Sequence, residues 1–270
     1  MAVKTTFNLP ESQEREYIRT LLGFSKSLQV DCNNVLLPMI GELKHGFESD
    51  IKKDAWGDDL DQIINQLVIL AGQSIGLIVT KLPNQYEAVS KCNNGQFKLV
   101  VKANTGLELP TVMQGAPRAV SLGVDIFRSE PFLKPLMASW VQENTSLIKS
   151  IPEKFHGDIN GIIRRGVVNG SSVKSIQNEI KERYQVTNAR AKLIAQDQIL
   201  KANADLTKFR VQSIGVKEFI WNSVGDSRVR PAHVDLEGRR FSWDKPHPTE
   251  GLPGSKIRCR CRATPVFDAD

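Results

Sequence analysis

Trp221-Asn-Ser-Val-Gly-Asp226-Ser-Arg228-Val-Arg230-Pro231-Ala-His233 is followed about 25 residues later by Ile257-Arg-Cys259-Arg-Cys261-Arg262. This stretch decides the fold class, because the character of the chain changes where it begins. Upstream, apolar residues recur at steps of three or four, as in Ala191, Ala195, Ile199, Ala202, Leu206 and Phe209, which is the spacing of one buried helix face. From Gly215 onward the apolar runs shorten to triplets such as Phe219-Ile-Trp221, separated by turn residues, the pattern of short strands and long loops. The expected class is α+β, mainly helical, with a helical platform over about 132–214 and a small C-terminal β/loop unit.

The same stretch concentrates chemically capable side chains. It holds two of the four cysteines, two of the four histidines and two of the four tryptophans. As a strand, residues 257–263 would send Ile257, Cys259, Cys261 and Ala263 inward, with Lys256, Arg258, Arg260 and Arg262 outward as a basic row. Two thiols on one face suit two ligands of one metal ion better than a mutual disulfide. His233, His247 and Asp226 are the nearest further ligands, so Cys259, Cys261 and His233 completed by His247 or Asp226 form a candidate zinc set. The spacing departs from the usual zinc patterns, which place two or more residues between paired cysteines. Buried cysteines acting as small hydrophobes are the plain alternative. His233 paired with Asp226 or Asp235, and Asp226 with Arg228 fixing a turn, would be structural uses of the same residues.

Enzyme patterns fit poorly. A zinc deaminase needs His-x-Glu and a later Pro-Cys-x-x-Cys, whereas this chain has His233-Val-Asp235 and Cys259-x-Cys261. Nucleophile-elbow, Walker and dinucleotide fingerprints are absent from the sequence. The reading is therefore non-enzymatic and without a cofactor. The alternatives are a nucleic-acid-binding zinc module and a nuclease using His233 and Asp226.

Outward from this unit, Pro10-Glu11 opens a first helix with Tyr17, Leu21, Leu22 and Leu28 in helical register, and a second runs from about Val35 to Lys53. A third, near Leu60 to Lys81, carries no charge from Gln62 to Thr80. Interrupting amides make it a buried core helix rather than a membrane span, and no stable membrane insertion is expected. Asn93-Asn-Gly95 marks a turn, Gln96–Lys102 a strand and residues 120–127 another, with a Pro/Gly-rich loop from Leu109-Pro110 to Pro117 between the strands. The module boundary is placed near Glu130-Pro131, giving 1–130 and 131–270. Beyond it come helices from Phe132 to about Lys149, from Pro152 to Arg165, from Ser171 or Ser172 to Tyr184, and from Asn188 to Ser213. Val168-Asn-Gly170 and Gly215 serve as stops.

Charge is uneven. Residues 1–130 hold 13 Lys/Arg against 15 Asp/Glu, and residues 131–270 hold 23 against 15. A basic second half is compatible with nucleic acid or an acidic partner, and equally with a solvated surface. Met1–Thr6 has no apolar run behind its basic residue, so synthesis in the host cytoplasm without secretion is expected. Cys32 and Cys92 read as plain residues.

Taken in order, Trp221, Gly225-Asp226-x-Arg228-Val-Arg230-Pro231-x-His233, Leu236-x-Gly238, Phe241, Pro253-Gly254 and Cys259-Arg-Cys261 resemble the C-terminal signature of the phage Mu F-like minor head proteins. These are head morphogenesis proteins of tailed bacteriophages. Ala189–Ala195 resembles the segment that precedes it, and the likeness covers about 132–267. The resemblance implies a virion protein inside the capsid, made in the bacterial cytoplasm, associated with the portal and with scaffold or major capsid protein. It further implies a part in head assembly and in DNA packaging or delivery. Trp221, Asp226, Arg228, Arg230, Pro231, His233 and Gly238 are then structural signature residues with no catalytic role. Lys256, Arg258, Arg260 and Arg262 are the candidate surface for non-specific DNA or a partner. Some relatives carry a toxin domain after the head module; with the chain ending at Asp270, none is expected here.

Overall fold

Five long helices carry most of this mainly helical α+β chain, and each has a local reason to form. The computed structural model describes residues 6–49, 55–109 and 130–267. The helices are α1 (Glu11–Asp31), α2 (Ile40–Glu48), α3 (Ala55–Val79), α4 (Leu82–Thr105), α5 (Leu133–Val168) and α6 (Val173–Ser213), with one-turn α7 (Pro231–Val234). Three short strands, β1 (Glu218–Asn222), β2 (Arg240–Ser242) and β3 (Arg262–Pro265), close the C-terminal end.

The caps follow from sequence. Gly170 and Gly215 adopt φ of +70° and +83°. Each anchors a paired stop: Gly170 N–H to Val167 O with Ser171 N–H to Gly166 O, and Gly215 N–H to Gln212 O with Val216 N–H to Val211 O. That is the Schellman arrangement, which needs a residue tolerant of left-handed backbone. At the start of α6, Ser175 N–H donates to Ser172 Oγ at 3.1 Å, satisfying an orphan donor.

The chain clusters into two compact units that interleave in sequence: residues 1–15, 83–142 and 196–270 form one, residues 16–82 and 143–195 the other. The described residues of the second unit are helices joined by short turns. Tyr17, Leu21, Phe24 and Leu28 form the buried stripe of α1, and Tyr17 OH donates to buried Asn144 Oδ1 at 2.8 Å. The segment expected to be one helix from Val35 instead runs as a π-turn (Cys32–Leu36) and a 3-10 turn (Leu37–Met39) before α2. Pro38 offers no N–H to a regular ladder there. The helices expected to break at Pro152 and near Tyr184 are continuous. Pro152 lies inside α5, flanked by fully buried Ile148, Ile151 and Phe155, whose burial offsets one lost backbone bond. Gly166 is required where α5 meets α6, because a Cβ there would lie 2.6 Å from Ile176 Cγ1.

α3 departs from the expected all-round burial. Trp56, Leu60, Leu67 and Ala71 are its buried line, whereas Val68, Ile69 and Leu77 are 50%, 64% and 69% exposed. The stretch from Ala55 to Thr105 also contains a window apolar enough to cross a membrane, with mean hydropathy 1.7 and 11% of it buried.

The first unit holds the largest correction. Gln96–Lys102 is part of α4, and no turn forms at Asn93-Asn-Gly95. Tyr86, Val89, Phe97, Val100 and Val101 are buried at helical steps. Asn93, the residue that suggested a turn, is buried and donates to Asn203 O, Asn203 Oδ1 and Thr207 Oγ1 at 3.2, 3.0 and 2.8 Å. Tertiary hydrogen bonds replace the local ones that make Asn a turn former. Arg210, 1% exposed, completes this network. It forks onto Glu130 through Nε and Nη2 at 2.8 Å each, and reaches Ser90 O, Ser90 Oγ and Asn93 Oδ1. The Pro/Gly loop beyond Leu109 and the strand expected at 120–127 lie outside the described residues.

The sheet has order β2-β1-β3 and is antiparallel throughout. Phe219 pairs with Phe241 and Pro265, and Trp221 with Ala263. The alternation of β1 buries Phe219 and Trp221 on one face. Their core includes Trp243, Cys259, Cys261 and Ala263 together with Phe7, Phe97, Val100 and Val101 from far earlier in the chain.

Candidate functional site

Everything in the site belongs to the first unit. Arg230-Pro231 sets its entry, with Pro231 at the first helical position of α7, where a missing N–H costs nothing and φ is already suitable. That single turn carries His233 inward to 2% exposure, edge-on to Trp221 with ring centroids 5.1 Å apart.

His233 is held from both ring nitrogens. Nε2 lies 2.9 Å from Glu250 Oε2, while Nδ1 lies 3.5 Å from Cys259 Sγ and 3.4 Å from Cys261 Sγ. His233 Nδ1 and the two sulfurs all lie within 4.8 Å of one another, and all three residues are buried. Hydrogen bonding to His233, with help from Lys256 and His247, keeps the Glu250 carboxyl below its usual range. Glu250 is therefore the acceptor, Nε2 carries the ring proton, and the Nδ1 lone pair faces the thiols.

The two thiols do not ionise independently of each other. An S–H bond from Cys261 eases ionisation of Cys259, against the cost of burial and with help from the Gly254 N–H, and its pKa falls to about 6. Cys261 is pushed upward because it is the donor to Cys259 and is itself buried. One thiolate is thus favoured and the second opposed, as expected for like charges in contact. Cys32 differs: burial, with help from the Asp31 charge and against a hydrogen bond with Tyr184, moves its thiol up to about 11. Cys92 is a half-buried free thiol.

The expected strand over 257–263 is corrected. β3 begins at Arg262, and the residues before it form a turn closed by Cys259 N–H to Lys256 O at 2.8 Å. Arg258 takes φ of +57°, with its N–H donating to Asp197 Oδ1 at 3.2 Å. This left-handed backbone interrupts the alternation, so Ile257 is 57% exposed rather than inward. Alternation resumes from Cys259, which preserves the shared face of the two sulfurs. Gly254, at φ +90°, allows the preceding loop to approach α6: a Cβ there would meet Ala204 Cβ at 3.0 Å.

Of the remaining expected ligands, neither joins the cluster. Asp226 accepts Arg260 Nη2 on both oxygens, at 2.7 and 2.6 Å, and the Arg228 N–H at 3.1 Å. The Arg260 bond holds its carboxyl below the usual range. His247 Nδ1 accepts the Glu250 N–H at 3.2 Å, so His247 positions the carboxylate behind His233. Arg230 Nη2 donates to Ile257 O at 2.7 Å, tying α7 to the cysteine turn. Gly238, at φ +72°, donates its N–H to Trp221 O at 2.8 Å and turns the chain from α7 into β2. Within the basic row, Lys256 and Arg258 are exposed, whereas Arg260 is bound to Asp226 and Arg262 donates to Phe7 O at 3.3 Å.

Three contributors escaped the sequence reading: Glu250, Asp197 and Phe7. Glu250 could have been suspected from its place three residues after His247, where a backbone N–H and a carboxylate reach the same neighbourhood. No local signal ties Asp197 or Phe7 to residues some 60 and 255 positions away.

Residues 157–264 match the family described as Phage Mu protein F like protein. An uncharacterized protein of Haemophilus influenzae is 32% identical over 176 residues, 65% of this chain and 36% of that protein. The uncharacterized protein YqbB of Bacillus subtilis is 24% identical over 151 residues, covering 48% of each. The chain thus spans about a third to a half of the length of these relatives. No solved structure matches. The matched segment holds the last third of α5, all of α6 and the Asp226–Arg260 and His233–Cys259–Cys261 groupings, so the similarity to the phage Mu protein F-like family covers the C-terminal site and the helix that supports it.

Proposed function

We propose that this chain is a structural minor head protein of a tailed phage, lying inside the capsid beside the portal and assisting head assembly and DNA packaging or delivery. It is made in the host cytoplasm and acts without catalysis. One observation carries this reading beyond the family resemblance. Three signature polar side chains of the C-terminal unit bond to its own loops: Arg260 to Asp226, Arg230 to Ile257 O and His233 to Glu250. Such a unit is a rigid knob, suited to docking. Its buried His233 and its Arg-bound Asp226 point to separate structural tasks rather than to joint acid–base work.

The portal is the proposed principal partner, with scaffold or major capsid protein as neighbours. Lys256 and Arg258, which remain exposed, supply a small surface for phosphate, whose binding would be sequence-independent and weakened by salt. Quantitative mass spectrometry of purified virions and procapsids is the direct test. The expected outcome is a fixed, low ratio to portal in both particles, with co-purification of portal from infected-cell extract. Absence from both particles, at detection limits that register portal, would overturn the proposal.

A further inference from the structure

We propose that His233 Nδ1, Cys259 Sγ and Cys261 Sγ form a zinc-binding site at the centre of the C-terminal unit. The argument starts from convergence. Three ligand atoms, one from α7 and two from the turn before β3, lie within 4.8 Å of one another, all buried, although the sequence separates His233 from Cys259 by 26 positions. Two sulfurs and one imidazole nitrogen are a borderline-soft donor set, which selects zinc over magnesium or calcium.

The surroundings match what a metal needs. Glu250 holds Nε2 at 2.9 Å, fixing the tautomer that leaves Nδ1 free to ligate, the carboxylate–histidine pattern common behind metal-bound imidazoles. His247 in turn fixes Glu250 through its backbone N–H at 3.2 Å. The Gly254 N–H points to Cys259 Sγ at 3.4 Å, as amide donors do toward thiolates. Cys259 Sγ is thus provided with an N–H donor that suits an anionic ligand. A three-residue zinc site keeps water as its fourth ligand. Asp226 and His247 are engaged elsewhere, so the ligand set has three protein members. Binding releases the thiol protons to solvent and leaves the metal oxidation state unchanged.

The site is independent of what the chain assembles with. Its test uses the full chain, purified under reducing conditions, stripped with chelator and reloaded with zinc. Elemental analysis is expected to give about one zinc per chain, and cobalt in its place is expected to give a thiolate-to-metal charge-transfer band. Cys259→Ser and Cys261→Ser are expected to abolish both signals. Glu250→Gln is expected to keep the ion with affinity lowered about 10- to 100-fold. Cys32→Ser with Cys92→Ser is expected to change neither signal. Should the site variants fail to fold, the wild-type chain still decides: zinc is expected to raise its melting temperature in a concentration-dependent way. Substoichiometric zinc with no thermal shift, a Cys259–Cys261 disulfide as the stable state under reducing conditions, or full binding in the Cys259→Ser/Cys261→Ser double variant would overturn the proposal.

Discussion

His156 shows what burial does to one side chain. It is 5% exposed within the second unit, and loss of solvation lowers its pKa from 6.5 to about 4. The folded chain therefore keeps a neutral imidazole where the unfolded chain takes a proton. Between pH 6.5 and 4 the unfolded state binds more protons, so stability falls as pH falls through that window. The contribution amounts to about 3 kcal/mol at the acidic end. In urea titrations at pH 7 and pH 4, a His156→Gln variant is expected to lose about that much less than wild type. Equal losses would mean that the imidazole is not buried neutral. The aromatic and sulfur inventory around residues 221–262 was legible at this scale, as were the glycine stops, because each depends on the residue's own chemistry. The partner of His233 was not legible. Glu250 competes in sequence with Asp226 and Asp235, and only loop geometry decides which carboxylate reaches Nε2.

Elements are governed by local bonds until a distant group intervenes. α4 is the clearest instance: Asn93-Asn-Gly95 has the local preferences of a turn, yet the helix passes through it. The tertiary network of Arg210, Glu130, Ser90, Asn93, Asn203 and Thr207 satisfies the Asn93 side chain that a turn would have used. Removing the guanidinium leaves several of these partners unpaired in the interior. Arg210→Met is expected to destabilise the chain by about 3–5 kcal/mol in urea denaturation. Arg165→Ala, whose Glu179 partner sits at the surface, is expected to cost under about 1 kcal/mol. Comparable values for the two would contradict the network. α3 makes the converse point. Its uncharged run was readable, but whether that run faced a core was not. Helical hydrogen bonding fixes the element, and neighbouring elements fix which of its faces is covered.

The whole molecule brings together segments that no linear division keeps together. The core around Trp221 and Trp243 takes Phe7 from the N-terminal end and Phe97, Val100 and Val101 from α4, and Thr6 Oγ1 meets Thr264 Oγ1 at 2.8 Å. A fragment of residues 131–270 lacks all four apolar side chains. It is expected to show no cooperative thermal transition at temperatures where the full chain remains folded. Calorimetry of the fragment checks this, and a sharp transition near that of the full chain would show that the earlier residues are dispensable. The sequence by itself determined the mainly helical class, the glycine stops at 170 and 215, the short central strand and the similarity of 157–264 to a known family. Those depend on periodicity, caps and ordered motifs, all of which are local or linear. Only the tertiary structure decided that 96–102 is helix, that the cysteine segment is a turn before it is a strand, and that Cys259, Cys261 and His233 converge without Asp226 or His247. The physical reason is the same in each case: burial and hydrogen bonding between residues tens to hundreds of positions apart outweigh local preferences of about 1 kcal/mol per residue.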